Sequence, residues 1–421
     1  MVKMILPNNG KVVVFDDKQK DIESLLKALS KEKIPFLYYQ DETGSDLPAD
    51  PVENVRLVFL DLELVVNNPT SHNIISTIAG RFRRVLTTNN VYVLLYWSTK
   101  EDKYRVDLEN AFDNGLNEYK PIKIISLNKA HALADNDPIE YITKALRTEM
   151  RGFSSLIGFM LWESSVNDAA GRITNELTSF IMRKEVDKGM YGLLYRLSKE
   201  QAGAVAVADQ DNNQKLNLAF ELINNSLVET TERLFAERLP KVEIGDIKEG
   251  GRELQEGEKV ILNTRLHILS SEHLQHFYSG NLYILENNGL AREIVLRNCE
   301  KSSHELLDTD TTKLICLDIT PSCDYAQRKY YTRVIYGVKL KKEFKKNISR
   351  GDHGYKEHPI FEIDGESILI FDFRTVRSFT REEFSYRFSE KPRYRLRKSI
   401  LLDIQAQLSN HINRPGIVNI D

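Results

Sequence analysis

The stretch VRLVFLDLEL, residues 55–64, decides how the first third of the chain is interpreted. Five of its first six residues are apolar, and Asp61 follows them directly. A short apolar run of this kind is typical of a strand that is buried on both faces of a parallel sheet. The stretch therefore predicts a strand over Val55–Leu60, with Asp61 at its carboxyl end.

Further runs of this type occur on both sides of that strand. They predict strands over Lys11–Phe15, Phe36–Tyr39, Val91–Trp97 and Ile122–Leu127. Between them, apolar residues recur at helical spacing over Asp21–Leu29, Ser71–Leu86 and Tyr104–Phe112. Parallel neighbours need a crossover, so the alternation of strands and helices predicts a doubly wound α/β domain over residues 1–135.

Polar side chains follow four of the five predicted strands: Asp16 and Asp17, then Asp61, then Ser98 and Thr99, and finally Lys129. The carboxyl ends of parallel strands share one edge of a sheet, where ligands bind. Clustered carboxylates make a hard oxygen site for Mg²⁺. A metal ion and a lysine neutralise the charge of a phosphoryl group during transfer, and a carboxylate accepts that group as an acyl phosphate.

This order of strand-end residues resembles that of response-regulator receiver domains, over about residues 10–135. The resemblance implies a flavodoxin-like fold in which a sensor histidine kinase transfers a phosphoryl group to Asp61. It also implies that Ser98, or Thr99 in its place, and Lys129 contact that group. The Mg²⁺ ligands that it implies are Asp16, Asp17, Asp61 and the backbone carbonyl of Glu63.

Two positions depart from the family pattern. Ala130 follows the lysine where the family usually has a proline, and Ser126 stands three positions before it, where an aromatic residue is usual. The phosphorylation chemistry does not need either residue, but the usual conformational relay does. We therefore expect phosphate capture rather than conventional output switching.

Residues 136–242 predict a helical module. Asp137 and Pro138 form a capping pair at its start. Apolar residues then recur every three or four positions from Ile139 to Ile181, and further helices run to about Leu239. Trp162 lies in this pattern, either in the core or at an interface. We expect a homodimer through the receiver-like domain and the helical module.

Residues 243–421 predict a β-rich barrel or sandwich with a C-terminal helix over Leu396–His411. Asp364 and Gly365 are a strong hairpin signal. The strands are predicted over Lys259–Leu262, Leu282–Glu286, Ile294–Leu296, Lys313–Ile319, Val334–Leu340, His358–Ile363 and Ser367–Asp372.

Two other chemistries are open in this β-rich region. Cys323 and Asp324, with Cys299, His304 and Cys316 nearby, suggest a zinc site or a thiol enzyme, but no paired metal-ligand spacing is present. A buried structural cysteine is the favoured interpretation. Basic residues interleaved with aromatic ones over 328–350 and 393–398 suggest single-stranded nucleic acid, although a solvated face would look the same.

Composition limits the remaining classes. The chain has 421 residues, 41% hydrophobic and 28% charged, with a net charge of −3 and three cysteines. These values fit a reducing cytoplasm, and the sequence shows neither a secretory signal nor an apolar run long enough for a membrane span. Near-neutral charge argues against a protein dominated by nucleic-acid binding.

The sequence hypothesis is a cytoplasmic phosphoryl-accepting receiver that acts as a switch or a phosphate sink. It is not an enzyme beyond its own phosphorylation and dephosphorylation. Receivers joined to such domains resemble components of defensive two-component systems against phage. The alternative is a pseudo-receiver platform with a nucleic-acid-binding C-terminal domain.

Overall fold

The computed structural model describes most of the chain and groups it into two compact units. These are Met1–Lys184 with Ile223–Glu249, and Glu185–Leu222 with Gly250–Asp421. The predicted domain ranges 1–135, 136–242 and 243–421 stay a prediction. The described residues are 11–31, 33–40, 46–61, 71–98, 105–150, 154–179, 181, 185–202, 207, 211–241, 252–272, 274–286, 289–299, 312–321, 324–325, 331–349, 354 and 359–413.

The first unit contains a parallel sheet of five strands. They are β1 (Lys11–Asp16), β2 (Phe36–Gln40), β3 (Val55–Asp61), β4 (Val93–Ser98) and β5 (Lys123–Asn128). Their order is β2-β1-β3-β4-β5, and all neighbouring pairs are parallel. This order is that of the doubly wound, flavodoxin-like fold, so the sequence prediction of these five strands and their parallel arrangement is confirmed.

Helices cover both faces of this sheet. They are α1 (Gln19–Lys31), α2 (Ser71–Val85), α3 (Arg105–Asn114), α4 (Lys129–Ala134) and α5 (Pro138–Met150). Alternate strand residues point to opposite faces. Thus Val58 packs with Phe82 of α2, whereas Phe59 packs with Leu25 of α1. Each such buried side chain contributes about 1.5–3 kcal/mol to folding.

Helix α6 (Ser154–Thr178) continues this unit, and its first turns belong to the same core. Leu156 and Met160 pack in the cluster of residues that α1 and α5 cover. Arg56 at the start of β3 forms a bidentate ion pair with Glu163, with nitrogen–oxygen distances of 2.5 and 3.1 Å. Helix α5 begins as predicted, because the Asp137 carboxylate accepts a hydrogen bond from the Glu140 backbone N–H at 3.3 Å.

Two long helices follow, α7 (Val186–Ala202) and α8 (Asn212–Arg238), so the helical character predicted for this region is confirmed. The boundary between the two units falls within α8, between Leu222 and Ile223. Among the described residues, none of the helices combines the length and the apolar character needed to cross a membrane.

The second unit is built on an antiparallel sheet of seven strands, in the order β10-β11-β9-β8-β7-β12-β6. The strands are β6 (Ile268–Ser270), β7 (Asn281–Leu285), β8 (Thr312–Asp318), β9 (Tyr331–Lys341), β10 (Ile360–Glu362), β11 (Glu366–Thr380) and β12 (Tyr394–Leu396). The predicted hairpin at Asp364 and Gly365 joins β10 to β11, and both residues have a positive φ, 47° and 95°.

Four helices accompany this sheet: α9 (Glu256–His267), α10 (Gly289–Asn298), α11 (Arg381–Arg387) and α12 (Lys398–Ile412). Helix α12 packs Ile400 and Ile404 against one face. Helices α10 and α11 pack Ile294 and Phe384 into two clusters on the other face. The described strands thus form one antiparallel sheet with helices on both faces, so the predicted β-rich character is confirmed and the sandwich alternative is corrected. The Tyr394 hydroxyl of β12 donates to Asp364 in the β10–β11 turn, so the sheet is curled, as it would be in the barrel alternative.

Two predicted strands of this region are wrong, because both are helical. Lys259–Leu262 lies within α9, which a reciprocal capping box between Gln255 and Glu258 begins. Ile294–Leu296 lies within α10, whose buried residues Ala291, Ile294, Val295 and Asn298 follow helical spacing. Short apolar runs do not distinguish a strand from one turn of a helix.

Candidate functional site

Three carboxylates meet at the carboxyl edge of the parallel sheet. Strands β1 and β3 are neighbours with Phe15 opposite Leu60, so Asp16 and Asp61 both lie just beyond that pair. Asp17 is the next residue after β1. Asp16, Asp17 and Asp61 are 1%, 6% and 3% exposed. One carboxylate oxygen from each lies within 4.8 Å of the others.

Lys129 brings a cation into this cluster. It is the first residue of α4, directly after β5, and the Asn128 side chain caps that helix by accepting a hydrogen bond from the His131 N–H at 3.0 Å. The Lys129 ammonium donates to Asp61 Oδ2 at 2.7 Å and to Asp16 Oδ2 at 3.0 Å. Lys129 is itself buried, so its ammonium contacts the two carboxylates away from bulk water.

The electrostatics reflect this crowding. Burial raises the pKa of the Asp16 carboxyl to about 6, the negative charge of Asp61 adds to the rise, and Lys129 opposes it. Burial alone would lower the pKa of Lys129, but the charges and hydrogen bonds of Asp61 and Asp16 outweigh burial and raise it. The lysine therefore stays protonated at neutral pH.

The backbone around the acid pair is fixed by neighbours that the sequence analysis did not name. Asp16 Oδ1 accepts the Lys18 N–H at 2.8 Å, and the Asp16 carbonyl accepts the Tyr38 hydroxyl at 3.4 Å. The Gln40 amide donates to the Asp17 carbonyl at 3.3 Å. Burial, followed by the charges of Asp16 and Asp17, raises the pKa of Tyr38 to about 12. The sequence signal that could have identified Tyr38 and Gln40 is strand β2, because its carboxyl end lies at the same edge of the sheet.

The structure brings Asp16, Asp17, Asp61 and Lys129 together, but it does not describe every predicted site residue. Glu63 and Thr99 lie outside the described residues. Strand β4 ends at Ser98, beside Asn128 of β5, and the Ser98 side chain also lies outside the described part. Ala130, at the position where receiver domains usually have a proline, continues helix α4.

The donor set fits Mg²⁺. Three carboxyl groups and one ammonium carry a formal charge of −2 when all are ionised, in a buried position where charge needs compensation. Mg²⁺ prefers oxygen ligands and binds through a few carboxylates while it retains waters that phosphate oxygens can replace. Asp16, Asp17 and Asp61 supply those oxygens.

Among the described residues, the cysteines do not form the zinc site that the sequence left open. Cys323 and His304 lie outside the described residues. Cys299 and Cys316 are buried, and burial raises the pKa of the Cys299 thiol to about 11 and that of Cys316 well above its usual value. The Asp324 carboxylate lies 3.7 Å from the Arg333 guanidinium. Among the described residues, the aspartate cluster of the first sheet is the group with metal-ligand geometry.

No protein-family model matches the chain, and no curated protein matches it either. Among solved structures, it is similar to an adenylate cyclase from Rhodopirellula baltica, at 14% identity over 34% of this chain and 95% of that one, with a TM-score of 0.20. The signal receiver domain of an HD-domain-containing protein from Pseudomonas fluorescens Pf-5 is similar at 15% identity over 35% and 98%, with a TM-score of 0.19.

Full-length FixJ from B. japonicum is similar at 12% identity over 57% of this chain and 93% of that one, with a TM-score of 0.17. Receiver domains are therefore among the structural neighbours. With scores this low, the assignment of the fold rests on the strand order and not on these likenesses. The first domain has a doubly wound, flavodoxin-like fold with a buried acidic cluster at the carboxyl edge of its sheet.

Proposed function

We propose that the first domain accepts a phosphoryl group on Asp61 in a two-component-type signalling system. The observation that carries this proposal is the 2.7 Å contact between Asp61 Oδ2 and the Lys129 ammonium, inside a cluster of buried strand-end carboxylates. An aspartate with a purely structural role needs only the hydrogen-bond donors that compensate its own charge. Three carboxylates held together at a ligand-binding edge fit a site that receives a cation and an anion together.

In the proposed reaction, an Asp61 oxygen attacks the phosphorus of a phosphohistidine on the partner kinase. The new O–P bond forms as the P–N bond breaks, and the imidazole nitrogen retains the electron pair. Lys129 then moves its hydrogen bond from the Asp61 carboxylate to a phosphoryl oxygen. When bound by Asp16, Asp17, Asp61 and the Glu63 carbonyl, Mg²⁺ supplies charge neutralisation. Ser98 supplies a hydroxyl donor to the same phosphoryl group.

The output is proposed to be phosphate capture, as a sink or a simple switch. Ser126 has no aromatic ring to rotate, and Ala130 replaces the family's proline, so the usual relay lacks its parts. Placement in the cytoplasm and in defence against phage, with a sensor histidine kinase as donor, rests on the resemblance of the sequence alone.

A homodimer is part of the same proposal. Phe159 and Trp162, one helical turn apart on α6, are 68% and 52% exposed, so two large apolar side chains stand together on one exposed helix face. We expect Trp162→Ala to shift sedimentation from a dimer to a monomer. A wild-type chain that sediments as a monomer would remove this part of the proposal.

The test is intact-mass spectrometry after incubation with Mg²⁺ and acetyl phosphate. We expect a mass increment of one phosphoryl group on the wild type and no increment on Asp61→Asn. Asp50→Asn, which changes an exposed carboxylate of the same domain, is the matched control and should be labelled like the wild type. An unlabelled wild type, or a labelled Asp61→Asn variant, contradicts the proposal.

A further inference from the structure

Strand β7 has one open edge. On one side it pairs with β8 from Leu282 to Leu285. On the other side it pairs with β12 only at Asn281 and Leu282. Within the part of the chain that the structure describes, no strand pairs with Tyr283–Leu285 on that side. In an antiparallel strand every second residue directs its N–H and C=O to the same side, so this edge offers backbone donors and acceptors.

A cavity of about 1040 Å³ lies along this edge. Its walls are β7 and the segment Ser389–Arg393, with Tyr336 of β9, Phe379 of β11 and Leu290 of α10 contributing apolar surface. A strand occupies roughly 3.4 Å per residue, 4.8 Å between strands and 10 Å between layers, or about 160 Å³ per residue. The cavity thus has room for about six residues of extended chain.

The rim of this cavity is cationic. Arg377, Arg387, Lys391 and Arg393 line it, and all are exposed. Arg377 and Arg387 are close enough to Tyr336 to oppose the rise in its pKa that burial causes.

The acidic residues of the rim do not balance this charge. Asp364 already contacts the Lys339 ammonium at 3.6 Å and accepts the Tyr394 hydroxyl at 2.8 Å. Glu286 and Glu390 remain as counter-charges to the four cations. The excess is positive, and it lies beside an open strand edge.

We propose that this cavity binds an extended, acidic peptide segment of a partner protein, which adds as a strand to the open edge of β7. Backbone groups give such a complex its affinity, and alternate side chains give it specificity. Lys391 and Arg393 belong to the segment Ser389–Arg393 that flanks the open edge, so acidic side chains of the added strand meet these two cations first. Single-stranded nucleic acid fits less well, because a uniform phosphate backbone would pass Glu286 and Glu390 as well as the cations.

The test uses the full chain and a fluorescein-labelled hexapeptide in which glutamate alternates with valine. We expect saturable binding in fluorescence anisotropy, and at least about tenfold weaker binding by Lys391→Glu/Arg393→Glu. Arg292→Glu, an exposed change on α10 outside the cavity, is the control and should bind like the wild type. Circular dichroism establishes that each variant is folded.

Three outcomes separate strand addition by a peptide from simple charge attraction and from binding of nucleic acid. Methylation of alternate backbone nitrogens of the peptide should abolish binding if the peptide pairs with β7. Binding that survives methylation, or that Arg292→Glu weakens as much as the double variant, overturns the proposal. An oligothymidylate that binds while the peptide does not would also overturn it, in favour of nucleic acid.

Discussion

Both sheets bury aspartates on their strands, and they compensate the charge in different ways. In the seven-stranded sheet, Asp318 ends β8 and accepts the Tyr325 hydroxyl and, at 2.9 Å, the Thr320 N–H. Asp372 in β11 has a bidentate contact with Arg374 at 2.9 and 3.2 Å. In the parallel sheet, Asp16, Asp17 and Asp61 instead form a single cluster around Lys129.

The difference shows what distinguishes a binding site from a structural carboxylate. Asp318 is as deeply buried as Asp16, and burial raises its pKa to about 7, with Tyr325 and Thr320 opposing that rise. Each aspartate of the second sheet has its own donors. The first sheet holds an excess of like charge at the carboxyl edge, where doubly wound sheets bind ligands, so the grouping of the carboxylates rather than their burial distinguishes the site.

The largest effect that we expect concerns the cation of the cluster. Lys129→Met should lower the free energy of unfolding by about 3–5 kcal/mol without Mg²⁺, because buried Asp16 and Asp61 lose their compensating charge. Urea unfolding measures this change. Adding Asp61→Asn to the Lys129→Met variant should restore part of the loss by relieving repulsion.

Lys18→Met is the matched control for that experiment. The Lys18 ammonium is 67% exposed and 4.0 Å from Asp17 Oδ2, so its removal should change stability by less than about 0.5 kcal/mol. A Lys129→Met variant as stable as this control would mean that the cluster does not depend on its lysine.

An intermediate effect should follow from Asp318, which lies apart from other carboxylates in the second sheet. The pKa of Asp318 is higher in the folded chain than in the unfolded chain, so the wild type loses stability as pH rises from about 4 to about 7. Between pH 5 and pH 8 the wild type should lose on the order of 2 kcal/mol relative to Asp318→Asn. Chemical unfolding of both proteins across this range tests the slope. A difference that does not vary with pH would contradict the role given to burial.

The smallest effect should come from the metal. Mg²⁺ that binds only the folded chain should add about 1.4 kcal/mol at a free concentration ten times its Kd. Thermal unfolding with and without Mg²⁺ measures this gain. Asp17→Asn should abolish it, whereas Asp318→Asn should retain it. Equal stabilisation of the two variants would show that the aspartate cluster is not the site.

Much of the first domain could be predicted from the sequence, since each element carries its own local signal. The apolar run before Asp61 identifies a buried strand, and parallel order then places Asp16 and Lys129 at the same edge. The helix that contains Ile294 could also have been predicted from the sequence, because Ala291, Ile294, Val295 and Asn298 repeat at helical spacing.

Other features could not be predicted, because they depend on contacts between distant segments. Strand β12 has three residues and lies between β7 and β6, more than a hundred positions away in the chain. No periodicity appears over so short a segment. The same placement leaves part of the β7 edge open, so the cavity beside that edge could not be predicted from the sequence either. Gln40 and Tyr38 were missed because the hydrogen bonds that they make involve backbone carbonyls of the acid pair.

The spacing of the acidic cluster along the chain has a consequence for biosynthesis. Lys129 lies 113 positions after Asp16 and 68 after Asp61, so the contacts close long loops. At a translation rate of roughly 5–20 residues per second, the ribosome takes about 3–14 s to go from Asp61 to Lys129. A nascent chain carries both acids without their cation during that interval. On the proposed function, a chain that ends before Lys129 is therefore expected to stay unlabelled by acetyl phosphate.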